Sequence, residues 1–249
     1  MNKLSFSIVL ISIPLIFFSQ SDSATKVLFV GNSYTYYWNL PQNVALMAAD
    51  QNINIQTAQS TAGGSKWSQH YKNERGLKTR EKISSGNYDI VVLQNHSRST
   101  IEFPDSLMHY GRLLSEEIRK AGAQPMLYMT WSREWDPFMI QTIKEKYMEL
   151  GDIINAPVAP VGLAFDMALK MRPDLDLYAP DGSHQSTTGT YLASCVFYSM
   201  LTGQSPVGIS PRLITEDADG EKLYINIQSP EDALFCQKVA AKVVNEFID

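Results

Sequence analysis

Short apolar runs rich in β-branched residues alternate along the chain with longer stretches in which apolar residues recur every three or four positions. The short runs predict strands at Lys26–Val30, Ile53–Ala58, Asp89–Gln94, Pro125–Thr130 and Pro157–Val161. The longer stretches predict helices at Leu40–Gln51, Ser106–Ala121, Phe138–Ile154, Leu163–Met171, Gln185–Leu201 and Pro230–Phe247. This alternation is typical of repeated βα units around a parallel sheet.

Several of the predicted strands are continuous hydrophobic runs, which indicates a sheet covered by helices on both faces. We therefore expect an α/β fold, a three-layer α/β/α sandwich of the flavodoxin-like type with about five mostly parallel strands. Residues 25–249 are few enough to form one such domain. The segment Gly203–Tyr224, rich in Gly, Pro and Asp, predicts a surface excursion before the last helix.

The first 24 residues have the pattern of a secretory signal peptide. Lys3 precedes the apolar run Leu4–Phe18, and small polar residues follow it. The run is short for a membrane span and is interrupted by Pro14. We expect a secreted or periplasmic protein with no stable membrane insertion after signal removal. The cleavage site stays open, and so does the alternative of an uncleaved anchor.

Charge and cysteine content exclude several classes of partner and cofactor. The net charge is −5 and no Lys/Arg cluster occurs, so the sequence does not predict a basic surface that would bind nucleic acid. The only cysteines are Cys195 and Cys236, and no Cys/His group has metal-ligand spacing. We expect no metal and no organic cofactor. Whether the two cysteines form a disulfide stays open, because the sequence does not give their separation.

A candidate nucleophile follows the first predicted strand, which ends at Gly31-Asn32-Ser33. Glycine permits a sharp turn, and a helix that starts there offers free N–H groups to developing negative charge. A serine at this place is well situated to attack a carbonyl carbon. The alternative is that Asn32 or Ser33 merely caps the helix.

A candidate base and its orienting acid lie near the other end of the chain, in Asp181-Gly182-Ser183-His184. A serine hydroxyl is a weak nucleophile unless a base accepts its proton, and a carboxylate fixes the tautomer of that base. Asp181 and His184 are suitable for these two roles. The alternative is a turn capped by Asp181 with a solvent-exposed His184.

Together these motifs resemble the SGNH/GDSL hydrolase superfamily. The resemblance covers Lys26 to about Ser205, and its specific part is the ordered pair GNSYT and DGSH. It implies that Ser33 is the nucleophile, His184 the general base and Asp181 the residue that orients it. It also implies that the backbone N–H groups of Ser33 and Gly64 contribute to an oxyanion hole.

Two positions depart from the superfamily pattern. Asn32 stands where the first block usually has Asp, which leaves the nucleophile unchanged. The third block reads Gln94-Asn95-His96-Ser97 where a G-x-N-D pattern is common. An ungapped alignment places His96 at the oxyanion-hole position, and a shift of one residue places Asn95 there. Either side chain can donate a hydrogen bond to an oxyanion, and the ungapped alignment favours His96.

Aromatic residues crowd around the proposed nucleophile and follow the fourth predicted strand. Such residues stack on sugar rings or form an apolar acyl pocket, although they also pack against a core. The set comprises Tyr34, Tyr36, Tyr37, Trp38, Trp131 and Trp135. From it we select Tyr34 and Trp131 as candidate substrate-binding residues.

The expected function is that of a secreted serine esterase that hydrolyses carboxylic esters through an acyl-enzyme. For an exported member of such a superfamily, deacetylation of carbohydrate is the expected task, with a small-molecule or oligosaccharide ester as substrate. The alternatives are a lipase or thioesterase-like acyl hydrolase and a non-catalytic carbohydrate-binding protein on the same fold. The sequence gives neither the natural ester nor the oligomeric state.

Overall fold

A computed structural model describes residues 23–248, so the predicted signal peptide lies almost entirely outside the described residues. The strands are β1 (Thr25–Gly31), β2 (Ile55–Thr61), β3 (Ile90–Leu93), β4 (Gln124–Tyr128), β5 (Val158–Ala159), β6 (Arg212–Glu216) and β7 (Lys222–Ile227). The helices up to the fourth strand are α1 (Ser33–Tyr36), α2 (Leu40–Asp50), α3 (Trp67–Tyr71), α4 (Thr79–Ser85), α5 (Ser99–Glu102) and α6 (Pro104–Lys120). The later ones are α7 (Met139–Ile154), α8 (Val161–Met171), α9 (Thr187–Thr202) and α10 (Pro230–Ile248).

The first five strands form one parallel sheet in the order β2-β1-β3-β4-β5. This is the flavodoxin-like order, and helices cover both faces, so the predicted three-layer α/β/α fold is confirmed. The strand order reverses between β1 and β3. In open parallel sheets, ligands bind beyond the carboxyl ends of the strands at such a reversal.

The side chains of β1 show how the two cores form, because alternate residues of a strand point to opposite faces. Val27 and Phe29 are buried in a cluster with residues of α2, α8, α9 and α10. Leu28 and Val30 are buried in a second cluster with residues of α3, α4, α6 and α7. The strand that carries the candidate nucleophile is therefore fixed from both sides.

The structure differs from the sequence-based prediction in its shorter and peripheral elements. The segment predicted as a surface excursion contains β6 and the first half of β7, which form an antiparallel hairpin. Leu213 is buried in the core, so this segment is not merely a loop. Helices α1, α3, α4 and α5 have seven residues or fewer, too short for a clear periodic pattern in the sequence.

The structure shows whether the two cysteines are bridged. Cys195 and Cys236 are free thiols, both fully buried, and burial raises the pKa of each thiol well above its ordinary range.

Among residues 23–248, no helix is long and apolar enough to cross a bilayer.

A buried histidine joins the end of β1 to the segment after β2. His70 on α3 is inaccessible to solvent, and its Nε2 lies 3.1 Å from the Gly31 carbonyl oxygen and 2.8 Å from Ser65 Oγ. Its Nδ1 lies 2.8 Å from Thr79 Oγ1. Because the Gly31 carbonyl only accepts, the proton belongs on Nε2. Burial lowers the pKa of His70 from 6.5 to about 4, although the Gly31 carbonyl opposes this shift.

We predict that His70 makes folding stability dependent on pH between about 6.5 and 4. In this range the unfolded chain binds a proton that the folded chain does not, so stability falls as the pH is lowered. The pKa difference corresponds to about 3 kcal/mol across the whole range. Urea unfolding at a series of pH values measures this dependence.

The variant His70→Gln provides the comparison, because glutamine cannot gain a proton at this site. Its stability should be lower at pH 7 but should fall less steeply on acidification than that of the wild type. His109→Gln, at an exposed histidine, should keep the wild-type slope. Parallel curves for wild type and His70→Gln would show that His70 does not carry the effect.

Candidate active site

The candidate nucleophile lies at the carboxyl end of β1, where the strand passes into α1. Asn32 caps this helix, its Oδ1 accepting the Tyr34 N–H at 3.1 Å, and Ser33 is the first helical residue. The turn needs glycine at position 31 for space, since its φ is not positive. A Cβ there would lie 2.3 Å from Thr35 Oγ1 and 2.4 Å from Gln94 Oε1.

Gln94, which follows β3, holds this turn, and sequence reasoning assigned it no role. Its Oε1 accepts the Asn32 N–H at 2.8 Å and the Thr35 hydroxyl at 3.0 Å, and the side chain is fully buried. Its Nε2 donates to the Asn95 carbonyl oxygen. A lone polar residue after an apolar strand is the only sequence signal that marked this position. Its partners come from another strand end, 59 and 62 residues away.

Ser33, His184 and Asp181 form a continuous chain of hydrogen bonds. Ser33 Oγ lies 2.8 Å from His184 Nε2, across 151 residues of sequence. His184 Nδ1 lies 2.5 Å from Asp181 Oδ2. With the proton on Nδ1 and donated to the carboxylate, Nε2 is free to accept the Ser33 proton. The structure thus brings together the three residues that the sequence selected as catalytic.

Asp181 is held in its ionised form by the loop that contains it. Burial alone would raise the pKa of Asp181. Hydrogen bonds from the His184 ring and from the backbone N–H groups of His184 and Ser183 outweigh this effect and lower the pKa to about 2. The carboxylate therefore stays ionised, and can orient the imidazole, above about pH 2.

Asn95 and His96, the two candidates for an oxyanion-hole side chain, differ in their contacts. Asn95 is buried, and its Oδ1 accepts the N–H groups of Trp67 at 3.0 Å and His96 at 2.8 Å. These two bonds fix the orientation of the amide, with Nδ2 pointing away from the two N–H groups. His96 is partly exposed, and its Nδ1 accepts the Arg98 N–H at 3.4 Å. Burial and the charges of Lys66 and Arg133 lower the pKa of His96.

Gly64, the other candidate donor, lies in the loop that follows β2. It is exposed with φ of 65°, and among residues 23–248 its N–H has no protein acceptor. The loop is attached to the nucleophile turn by the Ala62 N–H, which donates to the Gly31 carbonyl at 3.3 Å. Ser65 Oγ donates to the same carbonyl at 2.9 Å. The glycine block and Ser33 therefore share one anchoring point.

Tyr34 and Trp131, selected from the sequence as substrate-binding residues, are buried. Their rings stack at a centroid distance of 4.5 Å, and their exposed fractions are 2% and 1%. Trp131 Nε1 donates to the Ser183 carbonyl at 3.0 Å, and Tyr34 OH lies 2.9 Å from Ser183 Oγ. Burial is inconsistent with direct substrate contact. Both residues instead support the loop that carries His184.

Other aromatic residues are exposed beside the candidate catalytic residues. The Tyr37 ring stacks on the His184 imidazole at 4.5 Å and is 37% exposed. Trp38, 49% exposed, donates through Nε1 to the Gln185 carbonyl at 3.0 Å. Trp135 is 67% exposed and lies against Gly182, where a Cβ would come within 2.8 Å of its ring. These three rings flank the His184 loop.

No protein-family model matches the chain. No curated protein sequence matches it either. Similar solved structures include a protein from Slackia heliotrinireducens classed as an SGNH hydrolase, 25% identical, with a TM-score of 0.61 over 72% of this chain and 100% of that one. A DUF4886 family protein from Bacteroides uniformis is 16% identical, with a TM-score of 0.73 over 91% and 97% of the two chains.

An acetyl xylan esterase from Geobacillus stearothermophilus is 16% identical, with a TM-score of 0.59 over 72% of this chain and 95% of that one. The chain has a flavodoxin-like sheet order, helices on both faces and a candidate site at the strand ends. It is also similar to solved structures of SGNH hydrolases and esterases. The chain is therefore similar in structure to members of the SGNH/GDSL hydrolase superfamily.

Proposed function

We propose that this protein is a secreted serine esterase that removes acetyl groups from carbohydrate. The observation that carries the proposal is the hydrogen-bonded chain from Ser33 through His184 to Asp181. This is the arrangement in which a base withdraws a proton from a serine hydroxyl during acyl transfer. Secretion rests on the predicted signal peptide at residues 1–24.

The reaction proceeds in two steps. Ser33 Oγ attacks the ester carbonyl while His184 Nε2 takes its proton, and the same proton then passes to the departing alcohol. Water attacks the acyl-enzyme after losing a proton to His184, and Ser33 regains its hydroxyl as the acid leaves. Asp181 stabilises the positive imidazole that forms in each step.

The negative charge on the carbonyl oxygen requires donors that are already in place. The backbone N–H groups of Ser33 and Gly64 are two of these donors. For the third, the hydrogen bonds favour Asn95 in place of the sequence-based preference for His96. Asn95 Oδ1 is occupied by two backbone N–H groups, which orients the amide and leaves Nδ2 to bind the oxyanion.

A carbohydrate alcohol fits the surface beside His184. The departing alcohol takes its proton from His184, so it lies on the side of Tyr37, Trp38 and Trp135. Exposed aromatic faces stack on the apolar faces of sugar rings. The similar fold of an acetyl xylan esterase agrees with this substrate class.

Two alternatives receive less support. A lipase or thioesterase-like hydrolase requires an apolar acyl pocket at the nucleophile. The apolar cavity of about 300 Å³ next to Phe165 and Tyr178 is lined neither by Ser33 nor by His184. A non-catalytic carbohydrate-binding protein would have no need of hydrogen bonds of 2.8 Å and 2.5 Å along the three residues.

We predict that Ser33→Ala and His184→Ala each lower kcat for p-nitrophenyl acetate by about a thousandfold or more, and that the double variant is little worse. Nucleophile and base act as a unit, so losing either removes the same pathway. Thermal unfolding should show that Ser33→Ala remains folded, and Ser84→Ala, at an exposed position of α4, should retain full activity. Multiplicative losses, or a fluorophosphonate adduct on Ser33→Ala, would contradict the assignment.

We predict that kcat/KM falls on acidification with the slope of a single proton. His184 must be neutral to accept the Ser33 proton, so acidification from about pH 8 to 5 tests its role as the base. Asp181 stays ionised across this range because its pKa is lowered to about 2. A pH-rate profile measures the slope. A profile that is flat between those limits, or activity abolished by a chelator, would point to another mechanism.

We predict that Asn95→Ala lowers kcat by about a hundredfold or more with KM nearly unchanged, and that His96→Ala costs less. Asn95→Asp separates donor from anchor, since a carboxylate still accepts from Trp67 and His96 N–H groups but cannot donate. Its kcat should fall at least as far as that of Asn95→Ala. If His96→Ala is the most damaging of the three while Asn95→Asp is near native, His96 holds the oxyanion-hole position.

A further inference from the structure

Two cationic side chains lie near the loop that follows β3. Arg133 Nη2 donates to Ser97 Oγ at 2.8 Å, and Nη1 donates to Tyr34 OH. Lys66 precedes Trp67, whose N–H binds Asn95 Oδ1, and Lys66 Nζ lies 3.8 Å from the centroid of the Phe103 ring. Lys66 and Arg133 therefore both lie near the loop that carries Asn95 and His96, the residues considered for the oxyanion hole.

Neither cation forms an ion pair with a carboxylate in the part of the chain that the structure describes. Among residues 23–248, no Asp or Glu oxygen lies within 4.0 Å of Lys66 Nζ or of the Arg133 guanidinium. By contrast, Arg98 in the same loop pairs with Glu102 at 2.8 Å. The bonds that Arg133 makes are to hydroxyl groups, which position the guanidinium without cancelling its charge.

The charges of Lys66 and Arg133 act on His96, one of the residues considered for the oxyanion hole. Lys66 and Arg133 each lower the pKa of His96, after the larger effect of burial. The acidic groups nearby are already engaged or lie elsewhere. Asp181 binds His184, Glu102 pairs with Arg98, and Glu134 lies beside Gly182. In a chain of net charge −5, this side of the site thus holds two positive charges that form no ion pair among residues 23–248.

An aromatic surface adjoins one of the two cations. The Trp135 ring centroid lies 5.9 Å from Arg133 Cζ, and the ring is exposed. A guanidinium matches the planar geometry of a carboxylate, and an indole face stacks on a sugar ring. One ligand class uses both features, namely a sugar that carries a carboxylate.

We propose that Lys66 and Arg133 bind an anionic group of the substrate, so that this enzyme prefers acetyl esters of acidic, uronate-type sugars over those of neutral sugars. The proposal rests on the proposed esterase function and adds the charge of the substrate. Arg133 holds the carboxylate of the sugar, Lys66 adds electrostatic attraction, and Trp135 stacks on the ring.

The test compares two sets of acetylated oligosaccharides of equal length, one of galacturonate and one of xylose. We expect kcat/KM of the wild type to be about tenfold or more higher for the galacturonate set, mainly through KM. Raising the ionic strength from about 0.02 M to 0.5 M should reduce this preference, because salt screens part-exposed charges. Equal values for the two sets at low salt would overturn the proposal.

Variants identify the residues responsible. Lys66→Gln and Arg133→Gln should each lower the ratio of the two kcat/KM values severalfold, and Lys66→Glu should lower it further. Lys242→Gln, on α10 at a distant exposed position, removes the same charge from the chain and should keep the wild-type ratio. If the Lys66 variants leave the ratio unchanged, the preference has another origin and this assignment is wrong.

Failure of this proposal is distinguishable from failure of the proposed function. Wild-type protein that hydrolyses p-nitrophenyl acetate and both oligosaccharide sets equally well is an esterase without charge selection. Protein that hydrolyses none of these esters, and whose Ser33 does not react with a fluorophosphonate, is not an esterase. Binding of the deacetylated galacturonate oligosaccharide, measured by calorimetry, still tests the anion site in that case.

Discussion

The close approach of Gln94 to Gly31 is the constraint on which the site depends. Two neighbouring parallel strands end at the same level, and the Gln94 amide fills the space that a side chain at position 31 would occupy. Because its Oε1 receives the Asn32 N–H and the Thr35 hydroxyl, the chain turns out of the sheet at that point. Ser33 is presented at the sheet edge as a result.

A second support comes from a buried stack of aromatic rings. Tyr34 stacks on Trp131, and Trp131 stacks on Phe165 at 4.4 Å. Hydrogen bonds from Tyr34 and Trp131 hold Ser183, the residue next to His184. The helix that carries the nucleophile and the loop that carries the base are thus fixed to a common element, which maintains the distance between Ser33 and His184.

The sequence was informative about the central part of the fold for a physical reason. Strands buried on both faces must be continuously apolar, and the helices that cover them must have one apolar face. The five sheet strands and six long helices follow from these two patterns. The hairpin of β6 and β7 escaped prediction because, like Ile214 and Tyr224, most of its residues are exposed and show no clear alternation.

Ser33, His184 and Asp181 were identifiable from sequence because each lies in a short motif beside a turn-forming glycine. By itself the sequence determined the fold class, the strand-end position of the candidate nucleophile and the Asp181–His184 pair. Tertiary structure alone decided that Tyr34 is buried support, that Gln94 holds the turn and that two backbone N–H groups orient the Asn95 amide. Those properties depend on contacts between residues from distant strand ends, which no local pattern encodes.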